Sequence, residues 1–268
     1  MSKPRGDRVL AQHARAEVVN RLMAAGCVAA AGETAEFVAS APDEATLEIW
    51  VCRREEGEPL AWITGSVLFG DRWLHMAPGV YVPRAQTEDL AERAATLLPA
   101  GGRALDLCTG AGAVAAHLMA QDPTAFVMGT DVDRRAAACA RRNGVPTVTA
   151  DLAGPVRATP GFDVVTSVAP YVPTGDIGLL PADVQRYEPR RALDGGVDGL
   201  DLVRRVVAAA GRLLRPGGWL VIEVGGEQDQ ALARTLAAAG FDVVRPWWDD
   251  EGDLRGIAAR AAGSPRRR

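Results

Sequence analysis

The first part of the chain carries apolar residues at the spacing of amphipathic helices. Between residues 7 and 25 these residues recur every three or four positions, which predicts a helix. Two further helices are predicted at 33–39 and 43–57 from the same spacing and from the Gly and Pro residues that bound them. We therefore predict a small helical module over residues 1–58. Such a module either helps to recognise a substrate or serves as a structural cap, and both interpretations stay open.

Residues 59–85 change in character and are predicted to form a hairpin linker. Apolar residues flank Gly70-Asp71, which is the pattern of a β-hairpin turn. The extended segment 78–84 then leads into a helix. We expect Thr87 to cap this helix, because a threonine hydroxyl accepts hydrogen bonds from the free N–H groups of a first turn.

From residue 86 onwards, short apolar runs alternate with helical stretches. Strands are predicted at 103–108, 126–131, 146–150, 162–168 and 218–224, and helices near 113–121, 134–143, 199–214 and 227–239. Because this alternation produces parallel strands connected by helices, residues 86–268 are predicted to form an α/β domain with a doubly wound, Rossmann-like sheet. The runs at 241–244 and 254–259 lack a helix between them. They predict a closing antiparallel hairpin and hence a sheet of seven strands.

The composition is that of a soluble globular protein. Of the 268 residues, 48% are hydrophobic and 24% are charged, and the net charge of −4 argues against direct nucleic-acid binding. The four cysteines are scattered and have no partner at metal-ligand spacing, so we predict no metal site. No apolar run has the length of a membrane span or the pattern of a signal peptide, which predicts a cytoplasmic protein without membrane contact. The sequence gives no indication of the oligomeric state.

A glycine-rich turn after the strand at 103–108 is the strongest candidate for a ligand site. Gly110 and Gly112 allow a tight turn and a close backbone approach, and the next helix presents free N–H groups at its positive end. Together with Ala115, and with Asp131 about twenty residues further on, the spacing also satisfies the dinucleotide fingerprint. Spacing alone therefore leaves NAD and S-adenosylmethionine as alternatives.

Asp106 decides between these two cofactors. A carboxylate at the end of this strand would repel a pyrophosphate and attract the ammonium group of a methionine moiety, which favours S-adenosylmethionine. Asp131 is then placed to accept hydrogen bonds from both ribose hydroxyls. Asp151 is placed to accept from the adenine amino group while Leu152 packs on the ring, although a helix-capping role for Asp151 is an alternative. The other predicted cofactor contacts are Cys108, Thr109, Gly110, Ala111, Gly112, Val132 and Ser167.

Several motifs follow one another in a fixed order. They are Pro59-Leu-Ala-Trp-Ile-Thr-Gly65, Val82-Pro-Arg-Ala-Gln-Thr-Glu88, the loop 106–112, Tyr187-Glu-Pro189, Asp198-Gly-Leu200 and Pro216-Gly-Gly-Trp-Leu-Val-Ile-Glu223. With these motifs the chain resembles the HemK/PrmC family, which methylates the side-chain amide nitrogen of glutamine in the Gly-Gly-Gln motif of peptide release factors. The resemblance implies S-adenosylmethionine as cofactor, a class I methyltransferase fold, a helical N-terminal domain and a protein substrate.

The family's Asn-Pro-Pro-Tyr motif, which by resemblance marks the catalytic segment, is altered in this chain. The corresponding residues are Val168, Ala169, Pro170 and Tyr171. In the family, the Asn side chain and the next backbone carbonyl orient the target amide. Here the Ala169 carbonyl can still accept a hydrogen bond and Tyr171 can still wall the pocket, but Val168 has no acceptor. A shifted loop would let Ser167 or Thr166 supply it; otherwise an unpaired amide N–H costs roughly 1–3 kcal/mol.

Substrate contacts are predicted in two further segments. They are Arg84 and Glu88, in a motif where the family usually has an acid in place of Gln86, and Tyr187 and Glu188, for which a structural turn is an equal alternative. The leading hypothesis is a methyltransferase that modifies a glutamine amide in a release factor or in another protein. Two alternatives stay open: an N- or O-methyltransferase of small molecules, and a non-catalytic cofactor-binding protein.

Overall fold

The N-terminal module consists of three packed helices. The computed structural model describes residues 12–154, 156 and 161–263, so the predicted helical residues 7–11 lie outside the described part. The three helices are α1 (Gln12–Ala24), α2 (Ala30–Ser40) and α3 (Glu44–Glu55). Their apolar faces meet at the fully buried side chains of Leu22, Phe37 and Val51. Burial of such large apolar side chains is the main source of stability in a module of this size.

The linker region contains the predicted hairpin and one helix that the sequence pattern did not predict. The short helix α4 (Leu60–Thr64) precedes the antiparallel strands β1 (Ser66–Phe69) and β2 (Arg72–His75). Trp62 of α4 is buried, and its Nε1–H donates to the carbonyl oxygen of Val80 at 2.9 Å. This bond fixes the extended segment that leads into the second domain.

The second domain is built on one seven-stranded sheet. Its strands are β3 (Arg103–Leu107), β4 (Phe126–Asp131), β5 (Thr147–Thr149), β6 (Phe162–Ser167), β7 (Leu214–Glu223), β8 (Phe241–Trp248) and β9 (Leu254–Ala261). The spatial order is β5-β4-β3-β6-β7-β9-β8, with β3 to β7 parallel and β9 antiparallel between β7 and β8. The predicted α/β fold with a closing antiparallel hairpin is confirmed. The strand order reverses between β3 and β6, and ligands bind beyond the carboxyl ends of the strands at such a switch point.

Helices cover both faces of the sheet. They are α5 (Thr87–Leu97), α6 (Ala113–Gln121), α7 (Arg134–Arg142), α8 (Ala182–Tyr187), α9 (Asp201–Leu213) and α10 (Gln228–Ala238), with 3₁₀ turns at Thr174–Leu179 and Arg190–Ala192. One core lies between the sheet and α9 and α10, and a second lies under α5 and α6. Among the described helices, none is both long and apolar enough to cross a membrane.

The predicted cap at Thr87 is wrong. Thr87 is the first residue of α5 rather than the residue before it, and Gln86 occupies the cap position without a capping side-chain bond. The Thr87 hydroxyl donates instead to the buried carboxylate of Glu223 at 2.7 Å. A charged acceptor strengthens this hydrogen bond, and no sequence-local pattern reveals a partner 136 residues away.

Candidate active site

The glycine loop between β3 and α6 has left-handed backbone at Cys108, Gly110 and Gly112, with φ of 58°, 57° and 83°. A Cβ at Gly112 would lie 3.0 Å from the side chains of Ala140 and Val145, so the close packing of this turn on α7 requires glycine. A Cβ at Gly110 would meet no atom of the described residues within 4 Å, because its backbone borders an open groove. The two glycines therefore differ in their surroundings: Gly112 is closely packed, whereas Gly110 borders the groove.

Asp106 lies differently from the prediction, which aimed its carboxylate at the ligand. The side chain is buried beneath the loop, and its oxygens accept hydrogen bonds from the hydroxyls of Thr109 at 2.6 Å and Thr166 at 2.7 Å. Burial raises the pKa of this carboxyl to about 6, against the opposing effect of the two hydroxyl donors. Residue 106 lies inside a strand that is paired on both sides, so the loop folds over it. In this structure the carboxylate therefore bonds to Thr109 and Thr166 under the loop, and its predicted contact with the cofactor stays a prediction.

Asp131 lies at the carboxyl end of β4 and borders the groove. One of its carboxylate oxygens accepts from the Gly110 N–H at 2.9 Å, and the other accepts from the Asp133 N–H at 2.8 Å. Desolvation raises the pKa of Asp131, and the two N–H donors lower it. Because a carboxylate oxygen has two acceptor positions, each oxygen retains one for a ribose hydroxyl.

The groove above the loop has both polar and apolar residues on its walls. The residues on these walls include Cys108, Gly110, Asp131, Val132, Pro170 and Leu202. Burial raises the pKa of the Cys108 thiol to about 12, so Cys108 stays protonated and packs as a small apolar group. Ala111 is buried below the groove, where its carbonyl oxygen accepts from Asn143 Nδ2 at 2.8 Å.

Of the residues predicted to contact the cofactor, seven do not line the groove: Asp106, Thr109, Ala111, Gly112, Asp151, Leu152 and Ser167. Asp151 is exposed and pairs with Arg205 at 2.7 Å, because the chain after the edge strand β5 turns toward α9. Leu152 is buried in the core with a left-handed φ of 47°. Ser167 is fully buried, and its hydroxyl donates to the Leu107 carbonyl oxygen at 2.8 Å. In this conformation Asp151 and Leu152 follow the edge strand β5, and Ser167 links the central strands β6 and β3.

A cavity of about 920 Å³ lies between the helical module and the second domain, and we call it the acceptor cavity. The module contributes Cys27, Val28 and Arg54, the linker contributes Arg84, and the second domain contributes Gln86, Ala169, Tyr171 and Leu180 among others. The acceptor cavity meets the cofactor groove at Tyr81, Val168 and Ala192, which line both spaces. The altered motif therefore lies where the two spaces join, with Pro170 on the groove side.

A buried carboxylate holds the Tyr171 side of this cavity. Glu223, at the end of β7, accepts hydrogen bonds from the Tyr171 hydroxyl at 2.8 Å, from Thr87 at 2.7 Å and from Gln86 Nε2 at 3.1 Å. Burial raises the pKa of Tyr171, with the Glu223 charge as a further cause. Glu223 is not among the predicted site residues, although it lies at the carboxyl end of a strand, as Asp131 does.

The predicted substrate residues are divided between the cavity and the scaffold. Arg84 lines the cavity and forms an ion pair with the buried Glu188 at 2.5 Å. Burial raises the pKa of Glu188, and the Arg84 charge opposes this shift only in part. Tyr187 donates to the Glu56 carbonyl oxygen at 3.0 Å and thereby ties α8 to the helical module. Glu88 accepts from the Gly70 N–H at 2.9 Å, at the hairpin turn. Glu88, Tyr187 and Glu188 thus brace the site from outside the cavity wall in this structure.

Known proteins of similar sequence and structure were found for most of the chain. It is 38% identical over 197 residues to a release factor glutamine methyltransferase from Geobacter sulfurreducens, covering 71% of this chain and 69% of that protein. It is 37% identical over 238 residues to the Rhodospirillum rubrum protein of the same name, covering 83% and 71%. A crystal structure of a ribosomal protein L11 methylase from Lactobacillus delbrueckii subsp. bulgaricus shares the fold, with a TM-score of 0.51, 14% identity and coverage of 69% and 84%. No family model matches the chain.

The seven-stranded sheet, the glycine loop and the acid at the end of β4 define a class I methyltransferase, and the L11 methylase has the same fold. Two relatives exceed 30% identity over more than two thirds of their length. The chain belongs to the release factor glutamine methyltransferase family. The predictions of fold class, enzyme class and family are therefore confirmed.

Proposed function

We propose that this protein transfers the methyl group of S-adenosylmethionine to the side-chain amide nitrogen of a glutamine in a protein substrate. The observation that carries the proposal is the junction at Val168, where the cofactor groove opens into a cavity shared by both domains. A methyl donor in the groove and an acceptor in the cavity would face each other there. Holding two reactants in line supplies much of the rate in such transfers.

The residues of the groove fit the proposed cofactor. Asp131 retains acceptor positions for ribose hydroxyls, Val132 and Leu202 offer apolar surface for adenine, and the open face at Gly110 admits a close ligand. When bound, S-adenosylmethionine supplies an electrophilic methyl group: the glutamine nitrogen forms the new N–C bond, sulfur keeps the electrons of the broken C–S bond, and one N–H proton passes to water. We assign the direct cofactor contacts to the groove residues and a loop-holding role to Asp106.

The acceptor cavity supports a protein substrate over a small metabolite. The cavity is walled partly by a separate helical module. Val28 and Leu179 expose apolar side chains beside the cavity and suit contact with a polypeptide. By analogy with the relatives' names, we propose a release factor as substrate, residues 1–58 as the recognition module and 59–85 as the linker.

Mass spectrometry of a methylation reaction tests this function. The purified protein is incubated with S-adenosylmethionine and a peptide release factor carrying Gly-Gly-Gln, and a matched factor carrying Gly-Gly-Glu is the control. We expect one added methyl group on the glutamine and none on the control. If the protein binds S-adenosylhomocysteine but leaves the release factor unmodified and methylates small amides or alcohols, the small-molecule alternative is correct. Binding without turnover of any acceptor would support the non-catalytic alternative.

A further inference from the structure

Tyr81 lies where the cofactor groove meets the acceptor cavity, and it has no role in the site as described so far. Of Tyr81, Val168 and Ala192, which line both the groove and the acceptor cavity, Tyr81 alone has a side chain that forms hydrogen bonds. An amide that reaches the junction presents N–H groups, and these lose water there. Tyr81 is thus the residue on this shared wall whose side chain can accept a hydrogen bond, and its hydroxyl also bonds with the Arg84 side chain.

The two alternatives on β6 are occupied by internal hydrogen bonds. The Thr166 hydroxyl donates to Asp106 at 2.7 Å, and the Ser167 hydroxyl donates to the Leu107 carbonyl oxygen at 2.8 Å. Both side chains are fully buried beneath the loop. Using either of them as the acceptor would require breaking a bond that holds the loop or the strand pair, so the prediction that Ser167 or Thr166 replaces the missing asparagine lacks support from this geometry.

Neighbouring residues fix the position of Tyr81, and its phenol is neutral at neutral pH. Its backbone neighbour Val80 is buried and accepts from Trp62, and the Arg84 guanidinium lies 5.0 Å from the Tyr81 ring centroid. Arg84 is fixed in turn by Glu188. Burial raises the pKa of Tyr81 to about 12, so the phenol keeps its proton at neutral pH. Because a neutral phenol oxygen has a second lone pair, it can accept from an amide N–H while it accepts from Arg84, and its own O–H remains a donor.

We propose that the Tyr81 hydroxyl accepts a hydrogen bond from the substrate amide N–H and thereby replaces the side-chain acceptor that Val168 lacks. This inference rests on the proposed function, and it names the residue that recognises the glutamine amide. Tyr81 comes from the segment before α5, far in sequence from the altered motif, and it lines the same two spaces as Val168. Loss of this bond leaves an amide N–H unpaired, which slows the reaction by about tenfold to a hundredfold.

A double-mutant cycle tests the inference. We expect Tyr81→Phe to lower kcat on the Gly-Gly-Gln release factor by about tenfold to a hundredfold, with unchanged S-adenosylhomocysteine affinity. In the Val168→Asn background the same substitution should cost less than about threefold, because asparagine restores an acceptor. Val168→Asn alone should change kcat by less than about threefold. Thr96→Val, which removes a hydroxyl bonded within α5, is the matched control and should leave kcat unchanged.

Each outcome decides between specific interpretations. An equal loss for Tyr81→Phe in both backgrounds would show a structural role and overturn the inference. An unchanged kcat for Tyr81→Phe, or a large gain from Val168→Asn alone, would overturn it as well. Each of these results leaves the proposed function standing, since the native chain still methylates glutamine. If the native chain methylates no glutamine at all, the proposed function itself fails and the role of Tyr81 fails with it.

Discussion

The cofactor side and the acceptor side of this site are built in different ways. The groove is organised by backbone: the left-handed turns at 108–112 and the Gly110 N–H bond to Asp131, at the end of the neighbouring strand. The acceptor cavity is organised by side chains from distant segments, as in the bond between Gln86 and Glu223, which are 137 residues apart. In the groove, the backbone conformation limits which residues each position of the loop can hold. In the acceptor cavity, a hydrogen-bonding side chain from one segment can be replaced by a side chain from another segment.

The largest effect is expected on the backbone-built side. Gly112→Val should destabilise folding by about 3–5 kcal/mol, because the new side chain meets Ala140 and Val145 and the φ of 83° is left-handed. Gly110→Ala is the control, with a cost of about 1–2 kcal/mol for its left-handed backbone alone. Chemical denaturation measures both. If both variants lose the same free energy of unfolding, packing against α7 does not explain the glycine at position 112.

A pH series examines the buried acid under the loop. Because the pKa of Asp106 is about 6 in the fold against an ordinary 3.8, its contribution to stability is fully present below about pH 3.8 and is lost as the pH rises through about 6. The stability of the native protein relative to Asp106→Asn should therefore increase by about 2–3 kcal/mol between about pH 7 and about pH 4. Urea unfolding of both proteins across this range measures the difference. A constant difference would contradict the raised pKa.

The ribose contact is the next test of the groove. Asp131→Asn keeps the shape but removes the negative charge and one acceptor group, so the Kd for S-adenosylhomocysteine should rise by about tenfold to a hundredfold. Calorimetric titration measures this change. Asp89→Asn, an exposed residue paired with Arg93 on α5, is the control and should leave the Kd unchanged. An unchanged Kd in Asp131→Asn would place the ribose elsewhere.

The corresponding change on the acceptor side should alter turnover but not cofactor affinity. Glu223→Gln keeps one acceptor oxygen but loses the charge that three donors share at this carboxylate. We expect kcat on the release factor to fall by about tenfold while the Kd for S-adenosylhomocysteine stays constant, since Tyr171 lies on the acceptor wall. Parallel changes in both quantities would show that the two sides are not independent.

The same contrast explains what the sequence can predict. The strand and helix order, the closing hairpin, the glycine loop and Asp131 follow from local patterns, because periodicity and turn chemistry are written in neighbouring residues. The direction of the Asp106 side chain, the partner of Thr87 and the bracing roles of Glu88 and Tyr187 depend on tertiary contacts. No local sequence pattern encodes those contacts. They include most of the contacts that hold the wall of the acceptor cavity.

The smallest effect is expected at the edge of the groove, where Asp151 pairs with Arg205. This ion pair is exposed, so Arg205→Ala should change the free energy of unfolding by less than about 1 kcal/mol. If Asp151 accepts the adenine amino group, the cofactor competes with Arg205 for this carboxylate. Removing Arg205 should then tighten S-adenosylhomocysteine binding by about twofold to threefold, which calorimetric titration resolves. If Arg205→Ala binds S-adenosylhomocysteine more weakly, Arg205 orients Asp151 toward the ligand. If the Kd is unchanged in both Arg205→Ala and Asp151→Asn, Asp151 is not part of the cofactor site.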